Sequence, residues 1–566
     1  MKNRLSGRQN RLLQWWPAIL FLLSFAASVL TTYYVTKNIL DSDASSELVL
    51  SHYLAHSNDF ILSRDWFYST ELRVLNTQLI YSVFFRFFSD WSFVRFCSAM
   101  TMQVLLLISC GYLLHEAGFG RKAFFLSGSL LLLPVSVAYG RIVLYHCYYM
   151  PHIMLSFFLI GLTLGFAKSV NWKSWKVCLR LTLLILFSFV GGLGGVRQLM
   201  ITHAPLLLGI VALGFLEDSR ESDKSKSSFL SSRNLPLVAA ALAGALFSFL
   251  GLMVNTKVLS QYYNFSQQSG FAIGLLPASE LKTVAYSFFH HFGFRQGNPL
   301  LSLMGILSAA GIFAGCYCVY LSVRRFLAHG NNQDIRKSLF RLFFLSVAFI
   351  TLVLFAVTGE SSNYHYALYL IFILPWAVLL LSCELEELPR ETHILRAEKL
   401  LPFLTVAILL ANSLVNVLFF QGNEKFDQVY EGLHYRNMDV KASVSDAAAF
   451  VADNGYDLGF ATFWNSNIVT EITDGRVRMV NICLVPAVDC TIYDNWLNFF
   501  SYREQPAEKP FMLMAAAEFE DFSRTEAYKN CSLVYQDDHY YVFDILDQEL
   551  NKDLMNTDLS KMVKAS

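Results

Sequence analysis

About eleven apolar stretches, each near the roughly 20 residues that a helix needs to cross the hydrocarbon core of a bilayer, dominate this 566-residue chain. Backbone groups inside a bilayer must bond within their own segment, so stretches of this kind fold as membrane-spanning helices. The predicted spans are 15–36, 92–115, 123–140, 149–167, 177–196, 198–216, 235–255, 300–322, 339–358, 366–383 and 400–420. The sequence therefore predicts a polytopic α-helical membrane protein.

The composition agrees with a membrane protein and argues against other classes. Hydrophobic residues make up 54% of the chain and charged residues 16%, against about 25% charged in an average soluble domain. The 44 basic and 44 acidic side chains give a formal net charge of zero, so no overall positive field is available to hold nucleic acid. We therefore expect membrane lipids, and no nucleic acid, among the partners.

Basic residues in the short connections set the expected orientation, because Lys and Arg are retained on the cytoplasmic side. Every second connection carries them: Lys2, Arg4, Arg8 and Arg11, then Arg121 and Lys122, then Lys168, Lys173 and Lys176, then Lys224, Lys226 and Arg233, then Arg324, Arg325, Arg336 and Lys337. The last such connection, 384–399, mixes acidic and basic residues. We expect a multi-pass protein of the cell membrane with a cytoplasmic N-terminus and an extracytoplasmic C-terminal domain.

Two regions are predicted to lie outside the membrane. Residues 37–91 form a large first external loop, and within it 74–88 is apolar but only about 15 residues long, so we interpret it as a helix in the outer interface and not as a twelfth span. From Gln421 onward the composition becomes polar, which divides the chain into a membrane domain, 1–420, and an external soluble domain, 421–566. Short apolar strands alternate there with helical stretches, so the external domain is predicted to be α/β.

The ten cysteines give little information about function. Only Cys483, Cys490 and Cys531 fall in the predicted external domain, and a bridge between Cys483 and Cys490 is left open. The chain has no Cys or His spacing of the kind that structural metal sites use.

Three carboxylates open the first external loop at the membrane surface. Asp41, Asp43 and Glu47 lie within DSDASSE, about five residues beyond the first span. One interpretation is a capped helix, because Asp43 is placed as an N-cap with Glu47 one turn later. The other is catalysis, because carboxylates take protons from hydroxyl groups or hold divalent cations such as Mg²⁺ or Mn²⁺.

Further candidate groups face the same predicted compartment. They are Trp66, Tyr68 and Glu71 in RDWFYSTELR, His146 in GRIVLYHCYYMPH, Arg197 after GGLGG, Lys282 and Arg295 in 256–299, Tyr364 with His365, and Trp464 after a predicted strand end. Aromatic rings at the headgroup level either anchor helices or stack on sugar faces. Arg197 lies between two spans, where an ionisable group is a functional candidate unless it only snorkels to the headgroups.

This layout resembles the GT-C superfamily of membrane glycosyltransferases, especially bacterial relatives of protein O-mannosyltransferases and aminoarabinose transferases. DSDASSE stands where those enzymes carry an acidic pair, Glu71 has the spacing of a later acidic residue, and GRIVLYHCYYMP resembles their second external loop. The segment GYDLGFATFWNSNIVTEITDGRVRMVNI resembles the external domain of some bacterial members. The second loop of the family often has an acidic residue about where His146 stands, so the resemblance leaves metal dependence open.

The resemblance implies that a hexose or pentose moves, with inversion, from a polyprenyl-phosphate donor to an envelope glycan, lipid or protein at the outer membrane face. The implied catalytic residues are Asp41, Asp43 and Glu71, with Asp41 and Asp43 unranked. The implied donor-phosphate residues are Arg197, Lys282, Arg295 and His146, and the implied substrate contacts are Glu47, Trp66, Tyr68, Tyr364, His365 and Trp464.

Two other classes remain open: a multi-pass transporter or lipid flippase, and an accessory subunit without activity of its own. Transporters usually place charges at mid-membrane, often at broken helices. In this chain the span centres carry few charged residues and the candidate groups lie near the predicted outer ends. That distribution favours chemistry at the membrane surface.

Overall fold

A computed structural model describes residues 2–69, 72, 74–167, 173–220, 234–265, 274–328, 334–358, 370–388, 397–423, 429–430, 433–434, 440–505 and 507–546. The chain divides into two compact units. The unit drawn from 1–33, 99–256 and 268–432 is called the membrane unit, and the unit drawn from 34–98, 257–267 and 433–566 is called the α/β unit. The large first loop and the C-terminal segment thus fall in the same unit.

The elements are numbered in chain order. The α-helices are α1 Lys2–Asn38, α2 Ser42–His56, α3 Gln78–Phe85, α4 Trp91–Ala117, α5 Arg121–Leu131, α6 Met150–Leu164, α7 Trp175–Leu193, α8 Ala204–Arg220, α9 Leu235–Lys257, α10 Ala278–His290, α11 Leu303–Leu327, α12 Ile335–Thr358, α13 Ile373–Glu387, α14 Ala397–Phe420, α15 Val440–Asp453, α16 Phe463–Ile472, α17 Ser501–Glu504, α18 Phe519–Ser523 and α19 Glu526–Lys529. The strands are β1 Trp66–Tyr68, β2 Asn264–Phe265, β3 Val429–Tyr430, β4 Leu433–His434, β5 Leu458–Thr462, β6 Arg478–Val485, β7 Cys490–Tyr493, β8 Asn498–Phe499, β9 Pro510–Ala515, β10 Cys531–Gln536 and β11 Tyr540–Ile545.

Long apolar helices build the membrane unit. In the described part of the chain, nine helices are long and apolar enough to cross a membrane: Trp15–Asn38, Trp91–Ala117, Met150–Ala167, Trp175–Leu193, Leu199–Leu216, Leu235–Gln261, Leu303–Leu327, Ile335–Val357 and Leu400–Phe420. Each overlaps a span predicted from the sequence. The multi-pass α-helical architecture with a C-terminal α/β fold is therefore confirmed.

The other two predicted spans, 123–140 and 366–383, are shorter helices. α5 ends at Leu131, before Pro134, which has no amide hydrogen to continue a helix, and the chain resumes as a π-helix over Tyr139–Tyr145. α13 begins at Ile373 and is buried over most of its length, while 359–369 lie outside the described residues. The predicted span 123–140 is therefore interrupted near Pro134 and is not one continuous helix.

Ion pairs join helix ends in the membrane unit. The pairs are Arg180 with Glu116, Arg325 with Glu384, Lys337 with Glu387 and Arg341 with Glu387. Glu386 accepts hydrogen bonds from the amides of Gly120 and Ala123 at 2.6 and 2.7 Å, which caps the start of α5. These groups lie in or beside the connections that the positive-inside rule assigns to the cytoplasm.

α7 and α9 approach each other through glycine. A Cβ atom on Gly192 would lie 1.9 Å from the carbonyl oxygen of Ser248, and one on Gly251 would lie 2.1 Å from that of Phe189. Asn255 also donates a hydrogen bond to the Leu193 carbonyl at 2.6 Å. Small residues of this kind let membrane helices pack backbone to backbone.

A six-stranded mixed sheet, in the order β10-β11-β9-β5-β6-β7, forms the centre of the α/β unit. β5 runs parallel to both β6 and β9, and the outer neighbours β7, β11 and β10 are antiparallel. Successive strand side chains point to opposite faces. Ala461, Met479, Phe511 and Leu513 pack with α15 and α16 on one face, and Phe460, Val480, Ile482 and Met512 pack with α18 and α19 on the other.

The first loop contributes α2, α3 and a short strand to the α/β unit. β1 pairs in parallel with β2 and antiparallel with β8, which links the loop to a segment from each of two distant parts of the chain. α3 has 8 residues, about 12 Å of helix, so the apolar segment 74–88 does not contain a twelfth span. Tyr81 and Phe85 of α3 are buried, while Val83 faces outward.

Three cysteines of the α/β unit, Cys483, Cys490 and Cys531, form no disulfide. Cys483 lies on β6 opposite Ile492, and Cys490 lies on β7 opposite Val485, so the two are not cross-strand neighbours. Both side chains, and that of Cys531, are free. The disulfide that the sequence left open between Cys483 and Cys490 is not formed.

Candidate active site

Asp41 begins α2 as its N-cap. Its Oδ1 atom accepts hydrogen bonds from the amides of Asp43 and Ala44 at 3.1 and 3.4 Å, and the side chain is buried. The expectation that Asp43 caps the helix is therefore wrong by two residues. Asp43 lies instead in the first turn and is half-buried, which leaves its carboxylate outside the capping interaction.

Glu47 lies one turn further along α2 and is buried. Its carboxylate accepts a hydrogen bond from the Thr77 hydroxyl at 2.9 Å and one from the Asn76 amide at 3.5 Å. Glu47 also lines a small cavity of about 10 Å³ together with Trp66 and Tyr68. The three residues predicted as substrate contacts in the first loop are thus neighbours.

Trp66 and Tyr68 are both buried against other parts of the protein. Trp66 is 1% exposed and packs edge-on against Phe499 at 4.5 Å, and the Tyr68 hydroxyl accepts a hydrogen bond from the Ser63 amide at 2.8 Å. Neither ring presents an open stacking surface. Glu71, the third predicted catalytic residue, lies outside the described residues.

A buried ion pair fixes the acidic end of α2 within the α/β unit. Arg95 and Glu471 are 1% and 3% exposed, and their nearest nitrogen and oxygen atoms are 2.5 Å apart. Glu471 also accepts a hydrogen bond from Ser45 at 2.6 Å, and Arg95 donates to the carbonyl of Ile39 at 3.2 Å. No local pattern in the sequence indicates this pair, because its members are 376 residues apart.

The WNSN segment divides into structural amides and an exposed ring. Asn467 donates hydrogen bonds to Ser46 and to the Leu497 carbonyl at 2.9 and 3.1 Å, and Asn465 bonds Thr462 at 3.1 Å. The Trp464 side chain is 64% exposed, although its carbonyl accepts a hydrogen bond from Ser42 at 2.6 Å. Within WNSN, the indole of Trp464 is therefore the side chain that is accessible to solvent, and the other three side chains are buried.

In the membrane unit, Arg197 contacts the segment that resembles the second loop. Its guanidinium lies over the ring of Tyr149, 4.5 Å from the ring centre. Tyr149 in turn packs against His152 and Phe372. Arginine stacks on aromatic rings through its plane and binds phosphate through its edge, so this contact suits a cation that orients an anionic group.

Two of the predicted motifs contain π-helices. The π-helix Tyr139–Tyr145 includes the first part of GRIVLYHCYYMPH, GRIVLY, and the π-helix Leu199–His203 begins after Gln198, the residue that follows Arg197. Between the first of these and α6, Cys147 has φ 63°, which is uncommon for a residue other than glycine. π-helical turns and left-handed residues cost stability and occur often at functional sites.

His146 ends the first π-helix. Its amide donates to the Arg141 carbonyl at 3.0 Å, its side chain is buried, and its ring stacks on Tyr148 at 5.9 Å. The residue that distinguishes this chain from the resembled family is therefore held inside the strained segment.

Arg295 and Lys282 have different surroundings. The Arg295 guanidinium donates to the side-chain oxygens of Asn412 and Asn416 at 2.9 and 3.0 Å. Burial lowers the pKa of Arg295 to about 10, so the residue stays protonated at neutral pH. Lys282 is exposed on α10 beside Tyr286, at 5.4 Å from the ring centre.

Tyr364 and His365 lie outside the described residues. Within the described ranges, no three His, Cys, Asp or Glu side chains gather in a way that could hold a metal ion. Mg²⁺ is commonly held by only one or two carboxylates together with substrate phosphate, so the divalent cation stays a prediction. Asp41, Asp43 and Glu47 belong to the α/β unit, whereas His146, Arg197, Lys282 and Arg295 belong to the membrane unit.

No protein-family model matches the sequence, and no curated protein matches it. Among solved structures, the chain is similar to ArnT from Cupriavidus metallidurans, both in the apo state and bound to undecaprenyl phosphate, with 12% identity over 93% of this chain and 98% of that chain and a TM-score of 0.47. It is also similar to the Archaeoglobus fulgidus oligosaccharyltransferase in complex with Zn and sulfate, with 12% identity over 93% of this chain and 73% of that chain and a TM-score of 0.45. Both are glycosyltransferases of the GT-C superfamily, which the sequence resembles. Because both TM-scores are below 0.5, these likenesses carry no argument about the chemistry of this chain.

Proposed function

We propose that this chain is a membrane glycosyltransferase that moves a hexose or pentose from a polyprenyl-phosphate donor to a glycan, lipid or protein of the cell envelope. The reaction takes place at the outer membrane face, with the N-terminus cytoplasmic and the C-terminal domain extracytoplasmic. A donor anchored by its lipid presents only its phosphate and sugar at the membrane surface. The enzyme therefore needs a cation and a base at that surface.

One observation carries this proposal: the contact of Arg197 with Tyr149. It brings together two segments that sequence analysis selected separately, and each of them contains a π-helix. Helix geometry of that kind is often retained at functional sites despite its cost. An arginine held there suits the donor phosphate, with help from Lys282, Arg295 or His146.

The chemical step is a direct displacement at the anomeric carbon. The acceptor hydroxyl oxygen forms a bond to that carbon while its proton passes to a carboxylate, and the bond from the anomeric carbon to the phosphate oxygen breaks. The phosphate leaves with the bonding electron pair, and its charge is stabilised by Arg197. Attack from the side opposite the phosphate inverts the anomeric centre.

Asp43 is the stronger candidate for the general base. Asp41 already accepts two backbone hydrogen bonds as the N-cap, and Asp43 is the more exposed of the two carboxylates. Glu71 remains the proposed third catalytic residue. Glu47, Trp66, Tyr68, Tyr364, His365 and Trp464 remain the proposed substrate contacts, with Trp464 best placed to stack on an acceptor sugar.

We predict that Asp43→Asn abolishes transfer. A positioned base contributes about 10²- to 10⁴-fold to the rate, and an amide cannot accept the proton. The measurement compares envelope glycans and extracted polyprenyl-phosphate sugars in cells without the protein and in cells that express wild type, Asp41→Asn, Asp43→Asn, Glu71→Gln or Arg197→Ala. Asp43→Asn should leave the glycan incomplete and the donor lipid accumulated at normal protein levels.

Asp90→Asn is the matched control. Asp90 caps α4 by accepting a hydrogen bond from the Phe93 amide at 2.9 Å, and Asn caps a helix about as well as Asp. If Asp41→Asn reduced the envelope glycan and Asp90→Asn did not, the negative charge of Asp41 would have a role other than capping α2. If Asp41→Asn, Asp43→Asn and Glu71→Gln all restored the glycan, the catalytic proposal would be wrong.

A further inference from the structure

A second cavity in the α/β unit lies on another face of α2 from Glu47. It has a volume of about 300 Å³ and is lined by residues of α2, by Trp91 at the start of α4, and by residues of α16, β6 and α17. Ligand pockets range from about 300 to 1,000 Å³, so this cavity suits a single small ring and not an extended chain. None of its lining residues belongs to the proposed catalytic set.

Two tyrosine rings of the cavity wall are fixed in place. Tyr53 and Tyr502 both line the cavity, and each packs against Phe499, with ring centres 4.7 and 5.0 Å apart. Trp91, which is 2% exposed, packs against His52 behind the wall, with ring centres 5.1 Å apart. Flat aromatic surfaces that need no rearrangement favour binding, because less conformational entropy is lost.

A glycine allows this part of the cavity wall to form. Gly475 has φ +77°, in the left-handed region, and a Cβ atom at this position would lie 3.1 Å from the Trp91 ring. The glycine thus permits both the turn after α16 and the close approach of the indole. A side chain at this position would press against the Trp91 ring.

Polar groups are interspersed among the rings, but they carry little net charge. Burial and the neighbouring His56 lower the pKa of His52 to about 4, so His52 is neutral at pH 7. Arg478 pairs with Asp457 at 2.9 Å and also donates to Gln505. Burial raises the pKa of Tyr502 to about 12, so that side chain is neutral as well.

This combination identifies a class of ligand. A phosphate or carboxylate would need a cation whose charge is not already offset, which Arg478 does not supply. A metal ion would need a third ligand beside His52 and His56, and no such trio occurs in the described part of the chain. A neutral sugar has apolar C–H faces for aromatic rings and hydroxyl groups for His56, Ser57 and Thr470.

We propose that this cavity is a binding site for one neutral monosaccharide unit, separate from the catalytic residues. In terms of the proposed function, it would hold a sugar of the acceptor glycan while another part of the acceptor reacts. The binding itself does not depend on transfer, so the two proposals can fail separately.

The test uses the full-length protein in a detergent without a sugar headgroup, with saturation-transfer NMR and titration. The probes are glucose, galactose, mannose and N-acetylglucosamine, compared with glucuronate and inorganic phosphate. We expect at least one neutral sugar to bind with a Kd on the order of 1 mM, as suits a ligand of this size, and the anions to bind more weakly. Binding of none of the neutral sugars, or stronger binding of the anions, would overturn the proposal.

Variants locate the binding. Tyr53→Leu should weaken binding about tenfold because the ring is lost, and Tyr53→Phe should stay within about twofold of wild type. Tyr262→Leu is the control, since Tyr262 is an exposed tyrosine of the same unit that does not line the cavity. If Tyr53→Leu fails to fold, Ser57→Trp at the cavity wall should block binding by filling the space.

Sugar binding that survives both Tyr53→Leu and Ser57→Trp in folded protein would refute the assignment to this cavity. Asp43→Asn separates the two proposals, because it should stop transfer and leave sugar binding unchanged. If Asp43→Asn kept transfer activity while Tyr53→Leu lost sugar binding, the assignment of Asp43 as the base would fail and the cavity proposal would stand.

Discussion

Glu471 is the clearest single residue on which the α/β unit depends. Its carboxylate is paired with Arg95 in a nearly water-free environment and is also bonded to Ser45. Removing one member of a buried ion pair leaves the other charge without compensation, which typically costs about 3–5 kcal/mol. The pair connects α2, the start of α4 and α16, so its loss should affect all three together.

We therefore predict that Glu471→Ala lowers the free energy of unfolding by about 3–5 kcal/mol. The matched control is Glu520→Ala: Glu520 pairs with Arg524, but the two side chains are 81% and 51% exposed, and surface pairs contribute about 0–1 kcal/mol. Thermal unfolding followed by near-UV circular dichroism measures both. Equal effects of the two substitutions would contradict the structural role of the buried pair.

His52 makes the α/β unit sensitive to acid. Burial, and then the neighbouring His56, lower the pKa of His52 to about 4, below the usual 6.5. Above pH 6.5 the side chain is neutral in both folded and unfolded protein and does not affect stability. Between pH 6.5 and 4 the unfolded chain binds a proton that the folded chain does not, so stability falls as the pH is lowered.

The expected result is a Tm that decreases from pH 7 to pH 4.5, with a smaller decrease in His52→Gln than in wild type. His539→Gln, at an exposed histidine before β11, serves as the control and should behave like wild type. A decrease of the same size in all three proteins would show that His52 is not the titrating group responsible.

At the scale of elements, the contact between α7 and α9 depends on backbone proximity. Gly192→Ala would place a methyl group 1.9 Å from the Ser248 carbonyl oxygen, so the helices must separate. We predict a strong loss of folded protein in the membrane fraction, because helix packing in the bilayer relies on such close contacts. Gly194→Ala is the control, since its Cβ would meet only the Gly191 carbonyl oxygen, at 3.4 Å.

Size-exclusion profiles of the detergent-solubilised variants measure the effect. A monodisperse Gly192→Ala protein with the thermal stability of wild type would mean that the two helices are not packed as described. Gly194→Ala should give the wild-type profile.

At the scale of the whole molecule, orientation in the membrane remains a prediction from the distribution of Lys and Arg. The structure provides a reporter for it, because Cys483 is an exposed thiol in the α/β unit and Cys178 is an exposed thiol near the start of α7. If the C-terminal domain is extracytoplasmic, a membrane-impermeant maleimide added to spheroplasts should label Cys483 and not Cys178.

Cys483→Ser, in a background with Cys490→Ser and Cys531→Ser, is the control and should lose the label. Burial and the neighbouring Asp494 raise the pKa of the Cys483 thiol, so labelling should be faster at pH 8 than at pH 7. If Cys178 were labelled in sealed spheroplasts and Cys483 reacted only after lysis, the orientation would be the opposite of the predicted one.

The sequence by itself determined the features that depend on local patterns. Hydrophobic length predicted the long spans, and short apolar strands alternating with helical stretches predicted the α/β class of the C-terminal domain, because these properties follow from neighbouring side chains. The same local reasoning failed at Pro134, where a span predicted from hydrophobicity is interrupted, and at α2, where Asp41 and not Asp43 takes the capping position.

Only the tertiary structure decided which distant segments meet. It joined the first loop to the C-terminal domain through Ser45 and Glu471, placed Arg197 on Tyr149, buried Trp66 and left Trp464 exposed. Contacts between residues hundreds of positions apart leave no periodic signal in the sequence, because either partner alone is compatible with many surroundings. The sequence therefore selected candidate residues by type and position, and packing decided which of them are buried, exposed or in contact with one another.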